Sequence, residues 1–322
     1  MKLGVFTVIF QDLPFEDMLD RVKSYGIEAV EIGTGGYPGS AHLNADLLLT
    51  DERKRDRFLA AIQERGLTIS ALSCHGNPLH PNKELAREYH EAWRKTVLLA
   101  SKLGVDTVVG FSGCPGDSPD AKRPNWVTCA WPPEYLETLE WQWQKVAIPY
   151  WKDEERFARS HSVKIALEMH PGFLVYNPET CLKLREHTGP NLGANLDPSH
   201  LLWQGIDVAE AIRILAEQDA LFYVHAKDTN LSSRNVARNG VLDTKPYTDW
   251  LNRSWTFRSV GWGHDASVWK EIVSTLRMAG YDNVISIEHE DGLASVHEGL
   301  SKAVGFLKEC MLTEPPVDAW WA

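Results

Sequence analysis

Glu168, Asp197, His225 and Glu288 each close a short apolar run, as Leu167-Glu168, Leu196-Asp197, Val224-His225 and Ile287-Glu288. Three carboxylates and one imidazole form a hard, anionic, mostly oxygen donor set, which suits Mn2+, Mg2+ or Co2+ better than a metal selected by thiolates. The expectation is one Mn2+ per chain on these four residues. An ion there would act as a Lewis acid on a ketone oxygen and its neighbouring hydroxyl, worth several kcal/mol as charge develops on the enolate. The adjacent C–H then becomes removable: a carboxylate within hydrogen-bond reach can take the proton, and a second one opposite can return it to another carbon or to the other face. Isomerisation, epimerisation and elimination share this step, and the residues leave open which follows.

Such ligands need a scaffold that gathers them. Short apolar runs rich in β-branched residues recur down the chain, separated by amphipathic stretches of helical length, the pattern of repeated βα units. Eight strands are expected, over 3–8, 29–32, 68–73, 107–111, 164–168, 192–197, 221–225 and 284–288. Leu13-Pro14-Phe15-Glu16 opens the first helix, Asp51-Glu52 the second and Asp265-Ala266-Ser267 the seventh; the helix after Asn82 runs to about Leu103 and stops at Gly104. Eight units without a Pro/Gly/Ser-rich linker predict a single (β/α)8 TIM barrel domain over residues 1–322 rather than two domains. In that fold strands five to eight are neighbours whose C-terminal ends converge on one mouth, so side chains 28 to 63 residues apart in sequence can meet. Taken singly, each of the four is as readily a satisfied structural carboxylate or a core histidine. Together around one mouth they need a common partner, because charged groups are rarely buried alone.

Two connections, at about 112–133 and 226–265, exceed simple loops, and both follow strands, so both are expected on the catalytic face as walls or lids, packing insertions or an oligomer contact being the plain alternative. His75 ends the third strand and is a candidate substrate contact or a loop-ordering side chain. Lys227 and Asp228, next to His225, could neutralise an enolate or orient the imidazole. Arg258 and His264 lie on the second long connection, within reach of substrate or simply in solvent. Indoles stack on the apolar C–H faces of sugars, so Trp126, Trp255 and Trp262 are candidate substrate walls, while the spacing of Trp141, Trp143 and Trp151 reads as core or interface.

The chain resembles the xylose-isomerase-like barrel superfamily, in its sugar phosphate isomerase/epimerase branch. The likeness covers nearly the whole chain and rests on Glu168-Met169-His170-Pro171-Gly172, Asn195-Leu196-Asp197-Pro198-Ser199-His200, Val224-His225-Ala226-Lys227-Asp228 and Ser286-Ile287-Glu288-His289-Glu290. It implies metal coordination by Glu168, Asp197, His225 and Glu288, a substrate contact from His200, and catalysis by Glu168 and Glu288 as acid and base on opposite faces of a keto-sugar carbon. The expected function is therefore a metal-dependent keto-sugar isomerase or epimerase. The resemblance extends to inosose dehydratase and to the catalytic subunits of C-glycoside deglycosidases, lyases on 3-keto-glycosides that work with a small second subunit; the Trp-rich connections favour such a bulkier substrate. Apurinic endonuclease of the same superfamily would need further histidines for three zinc ions, and strand four ends in Phe111-Ser112-Gly113 instead. A non-catalytic sugar-binding subunit is the alternative of another class, and its usual mark, a lost ligand, is absent.

The 44 acidic and 33 basic residues, a formal charge of -11, repel phosphate backbones and anionic lipid, so neither nucleic acid nor a membrane is an expected partner; a homo-oligomer or a small second subunit is. Five widely spaced cysteines without a CxxC pair fit a reducing compartment, and no apolar run reaches membrane-span length, so a cytoplasmic protein is expected.

Overall fold

A computed structural model describes residues 1–319 and 321. Among the described residues ten strands form in chain order: β1 (Lys2–Phe6), β2 (Ala29–Gly36), β3 (Thr68–His75), β4 (Thr107–Phe111), β5 (Lys164–Glu168), β6 (Leu192–Leu196), β7 (Leu221–Ala226), β8 (Asp228–Leu231), β9 (Trp255–Arg258) and β10 (Val284–Ile287). Strands β1 to β7 and β10 pair in parallel and close into the expected (β/α)8 barrel, with β10 between β7 and β1. The other two, β8 and β9, make a separate antiparallel pair inside the second long connection, which also holds the helix Ser233–Asn239.

Strand boundaries depart from expectation where local chemistry intervenes. The first strand ends at Phe6 because Thr7–Phe10 turns into a 3-10 helix, with Thr7 Oγ1 donating to the Glu31 carbonyl at 3.0 Å. The second runs on to Gly36 through an irregular register at Gly33/Gly35. Gly36 has φ +72, and a Cβ there would collide with the His75 carbonyl, so the turn into Tyr37 requires glycine. Helix signals act as their chemistry dictates. Asn82 caps Lys83–Leu103 by accepting from the Glu84 and Leu85 amides, Gly104 ends it at φ 70, and Asp51 and Asp265 cap Glu52–Glu64 and Ala266–Met278.

Strand alternation builds the site. Side chains point outward and inward by turns. The outward set, including Val30, Leu72, Val108, Leu167, Val224 and Ile285, joins the large core under the helices, which also buries Trp143 and Trp151. The inward set forms a second, smaller core of Ala29, Ala71, Val109, Ala166, Tyr223 and Val284, one residue each from β2, β3, β4, β5, β7 and β10. Two residues further along each of these strands stand Glu31, Ser73, Phe111, Glu168, His225 and Ser286; two further again on β3 and past β10 stand His75 and Glu288. The barrel floor is thus small and apolar, and the layers above it turn polar and acidic toward the C-terminal mouth.

Candidate metal centre

Glu168 is the last residue of β5, Asp197 follows β6, His225 is the penultimate residue of β7 and Glu288 follows β10. One ligand atom from each of the four lies within 4.8 Å of the others. Asp197 also caps the short helix Pro198–Leu202: its Oδ1 accepts the Ser199 amide at 2.8 Å. Its Oδ2 is buried and receives no directed hydrogen bond, although Lys227 Nζ lies 3.0 Å and His200 Nε2 3.3 Å away. Such a carboxylate oxygen, together with a donor set of three carboxylates and an imidazole, fits a hard divalent cation.

The electrostatics of the cluster are anionic. Glu168, Asp197 and Glu288 gather around one ammonium, Lys227, whose Nζ is 2.6 Å from Glu288 and 3.1 Å from half-exposed Glu290 and sits over the Phe257 ring at 4.7 Å. Burial pushes the Glu168 carboxyl up, but hydrogen bonds from His200, His225 and His75 outweigh it and hold the group well below the usual carboxylate range. Burial likewise raises Glu288, and the Lys227 charge more than reverses it. Burial opposes the charged forms of His225 and Lys227, yet Glu31 and Glu288 around the imidazole, and Asp197, Glu288 and Glu290 around the ammonium, raise both well above their ordinary values. His170 goes the other way, pushed down to about 3 by burial and by His200, so it stands neutral beside the cluster.

Beside these groups opens a cavity of about 660 Å3 lined by Phe6, Tyr37, His75, Phe111, His170, Phe173, Tyr247, Trp250, Phe257, Glu288 and Glu290 among others. His75 reaches it while its Nε2 bonds Glu168 at 2.9 Å. His200 lies behind, its Nε2 3.1 Å from the other Glu168 oxygen and its ring 4.0 Å from that of His170. Of the two long connections the second contributes to the wall, through Tyr247, Thr248, Trp250, Thr256 and Phe257. Residues 112–133 contribute none of the lining; Gln142 Nε2 instead ties that segment down by donating to the Gly116 and Asn125 carbonyls at 2.9 and 2.7 Å.

Four side chains expected at the substrate lie elsewhere. Trp255 is buried, stacked on Trp203 at 4.6 Å, with its Nε1–H donated to the Val241 carbonyl. Arg258 is held by Asp291 at 3.1 Å, and Trp262, 50% exposed, packs under Arg258 and Lys302 beside a separate small depression. Trp126 packs edge-on against Tyr176. His264, also on the second connection, bonds Asp228, whose two oxygens also accept the amides of Thr229, Gly261, Gly263 and His264 and so pin the end of that connection to the barrel. Sequence reasoning missed Glu31, both of whose oxygens lie 3.0 Å from His225 Nε2; a charged residue two positions after Ala29 in an otherwise apolar strand was its signal.

A sequence model of the xylose isomerase-like TIM barrel family matches residues 19–310, and the chain belongs to that family. It is 45% identical over 312 residues to the uncharacterized protein YfiH of Bacillus subtilis (strain 168), covering 96% of this chain and 99% of that one. Among solved structures it shares its fold with a D-tagatose 3-epimerase-like protein at 20% identity and a TM-score of 0.65, over 96% of each chain. It is similarly related to the probable 3-DHS dehydratase AsbF of Bacillus anthracis at 18% identity and a TM-score of 0.64, over 96% of this chain and 99% of that one. The IOLI protein, solved with a zinc atom, aligns over 96% of each chain at 18% identity and a TM-score of 0.62. No helix among the described residues is long and apolar enough to cross a membrane.

Proposed function

We propose that this chain is an enzyme of the sugar isomerase and epimerase type that binds one divalent cation, Mn2+ by preference, on Glu168, Asp197, His225 and Glu288 and removes the proton beside the ketone of a keto-sugar. The observation that carries the reading is the convergence of four buried or nearly buried ligand atoms within 4.8 Å, at the edge of a cavity large enough for a sugar. The kinds of solved protein that share the fold, an epimerase-like protein and a probable dehydratase among them, are consistent with it. A cation bound there supplies Lewis-acid stabilisation of negative charge on a substrate oxygen. Glu288, 12% exposed and part of the cavity lining, is the group placed to take a carbon-bound proton. Glu168, deeper and bonded to His75 and His200, is the second carboxylate of the pair, and those imidazoles are the groups through which its proton is held or passed on. Lys227 holds Glu288 ionised and keeps it aimed.

One observation favours a second reading, elimination from a 3-keto-glycoside. The cavity walls are mostly aromatic, from Tyr37, Phe111, Phe173, Tyr247, Trp250 and Phe257, more apolar surface than a free monosaccharide covers. Titration of chelator-treated protein with Mn2+ tests the primary reading. About one ion bound per chain, lost in Glu168→Gln and Asp197→Asn, is expected; no uptake by the wild type would remove the metal. Release of a chromogenic aglycone from a 3-keto-glucoside, rather than a rearranged sugar, would select the second reading over the first.

A further inference from the structure

We infer that Glu31 is a positioning residue for His225: its carboxylate accepts a hydrogen bond from Nε2–H and so turns Nδ1 toward the ligand cluster, an inference that rests on His225 being a ligand as proposed above. Glu31 lies on β2, across the barrel interior from β7, and is fully buried. Its two oxygens each lie 3.0 Å from His225 Nε2; Ser286 Oγ donates to one at 2.6 Å, and Ser73 Oγ donates to the other. Among the described residues no lysine or arginine pairs with it, His225 being its ion-pair partner. A carboxylate above a floor of alanine, valine and Tyr223 costs several kcal/mol in desolvation, and an apolar side chain would serve packing better. The residue therefore needs a reason beyond the core.

The two sides of the imidazole supply that reason. An ionised carboxylate only accepts, so Nε2 must carry the proton. On the opposite edge, Asn195 Nδ2 lies 3.1 Å from Nδ1 and 3.4 Å from a Glu168 oxygen. An amide that faces a carboxylate does so with its NH2, so Asn195 turns a donor toward Nδ1, and Nδ1 is the ring nitrogen that would give up its proton to a bound cation. That same Nδ1 is 3.5 Å from Glu168 and 3.4 Å from Glu288. Phe6 stacks on the ring at 6.1 Å and Tyr223 meets it edge-on at 5.8 Å, so it has little room to turn over. Tautomer and orientation are thereby set from outside the cluster, the arrangement by which a carboxylate behind a ligating histidine raises metal affinity.

The test reads metal binding and ring protonation rather than turnover. Free Mn2+ is followed by electron paramagnetic resonance while chelator-treated wild type, Glu31→Gln and Glu31→Leu are titrated, and the unfolding midpoint of each metal-free form is measured alongside. Glu31→Leu should bind Mn2+ about 10- to 100-fold more weakly. Glu31→Gln, whose amide oxygen still accepts from Nε2, should recover most of that loss. A purely structural Glu31 would instead shift both midpoints and leave affinity unchanged, which overturns the inference while the metal reading stands. Absence of Mn2+ uptake by the wild type overturns both. Should Glu31→Leu not fold, long-range proton–nitrogen spectra of wild type labelled at histidine decide the matter: Nε2 of His225 must keep its proton between pH 6 and 9, and a bare Nε2 overturns the role of Glu31 whether or not metal binds.

Discussion

Replacing Lys227 by methionine separates the two positive charges that the cluster can receive. The ammonium is 2% exposed and lies 3.0 Å from Asp197 and 2.6 Å from Glu288, with half-exposed Glu290 at 3.1 Å. Removing one partner of a buried charge group costs about 3–5 kcal/mol because the other partners stay buried and unpaired. The Glu290 contact is screened by water and adds little, which places Lys227→Met near the lower end, about 3 kcal/mol. Methionine keeps the apolar stem over Phe257, so packing changes little. A bound divalent cation restores positive charge to the same carboxylates and no longer meets a neighbouring ammonium. It should therefore bind the variant at least about tenfold more tightly, a gain of about 1.4 kcal/mol. Urea unfolding with and without saturating Mn2+ reads both effects, since a ligand of the folded state at 100 times its Kd adds about 2.7 kcal/mol. The variant should start less stable and gain more from Mn2+ than the wild type, while turnover falls because Glu288 loses its orienting partner. Equal stabilisation of both proteins by Mn2+, or no destabilisation without it, refutes this account of Lys227.

Two tryptophans should part company: Trp255→Ala, which empties the stack on Trp203, costs about 3–5 kcal/mol in chemical unfolding, whereas Trp250→Ala, on the cavity wall, raises KM with little change in stability. Asp228→Ala leaves the Gly261, Gly263 and His264 amides without their acceptor, at about 1–3 kcal/mol each if they stay buried, and limited proteolysis should then cut near 259–265 first. Burial opposes ionisation of Asp243, but the Lys245 and Ser254 amides and the Lys245 ammonium bring its carboxyl down to about 2. A carboxyl lowered on folding contributes stability above its unfolded pKa of about 3.9 and loses it as pH falls through the folded value, so the stability difference between wild type and Asp243→Asn should shrink from about pH 4 to about pH 2 in acid-unfolding curves.

The barrel and the convergence of its strand-end residues were legible because most strands are compact apolar runs between capped helices, and because alternation carries Ala29, Ala71, Ala166 and Val284 to Glu31, Ser73, Glu168 and Ser286 two positions on. What the sequence withheld is tertiary. Glu31 stands in a strand expected to end at Ile32, and nothing local says that it meets a histidine on β7, 194 residues away. Part of the cavity wall comes from the second long connection, whose antiparallel pairing of Asp228 with Arg258 sets Phe257 against Lys227 near the mouth and leaves Trp255, two residues further off, stacked on Trp203. Tryptophan type alone could not distinguish these positions.

Solvent exchange tests the central claim most directly. Mn2+-loaded protein is incubated in D2O with a ketohexose and, separately, with a 3-keto-glucoside, and deuterium at the carbon beside the ketone is read by proton spectra and mass. Enolisation by Glu288 predicts incorporation at that carbon whatever product follows, and at least about a 100-fold slower exchange in Glu288→Gln with its metal retained. Product formed with hydrogen moving between carbons and no deuterium gained, or exchange undiminished in Glu288→Gln, would contradict it.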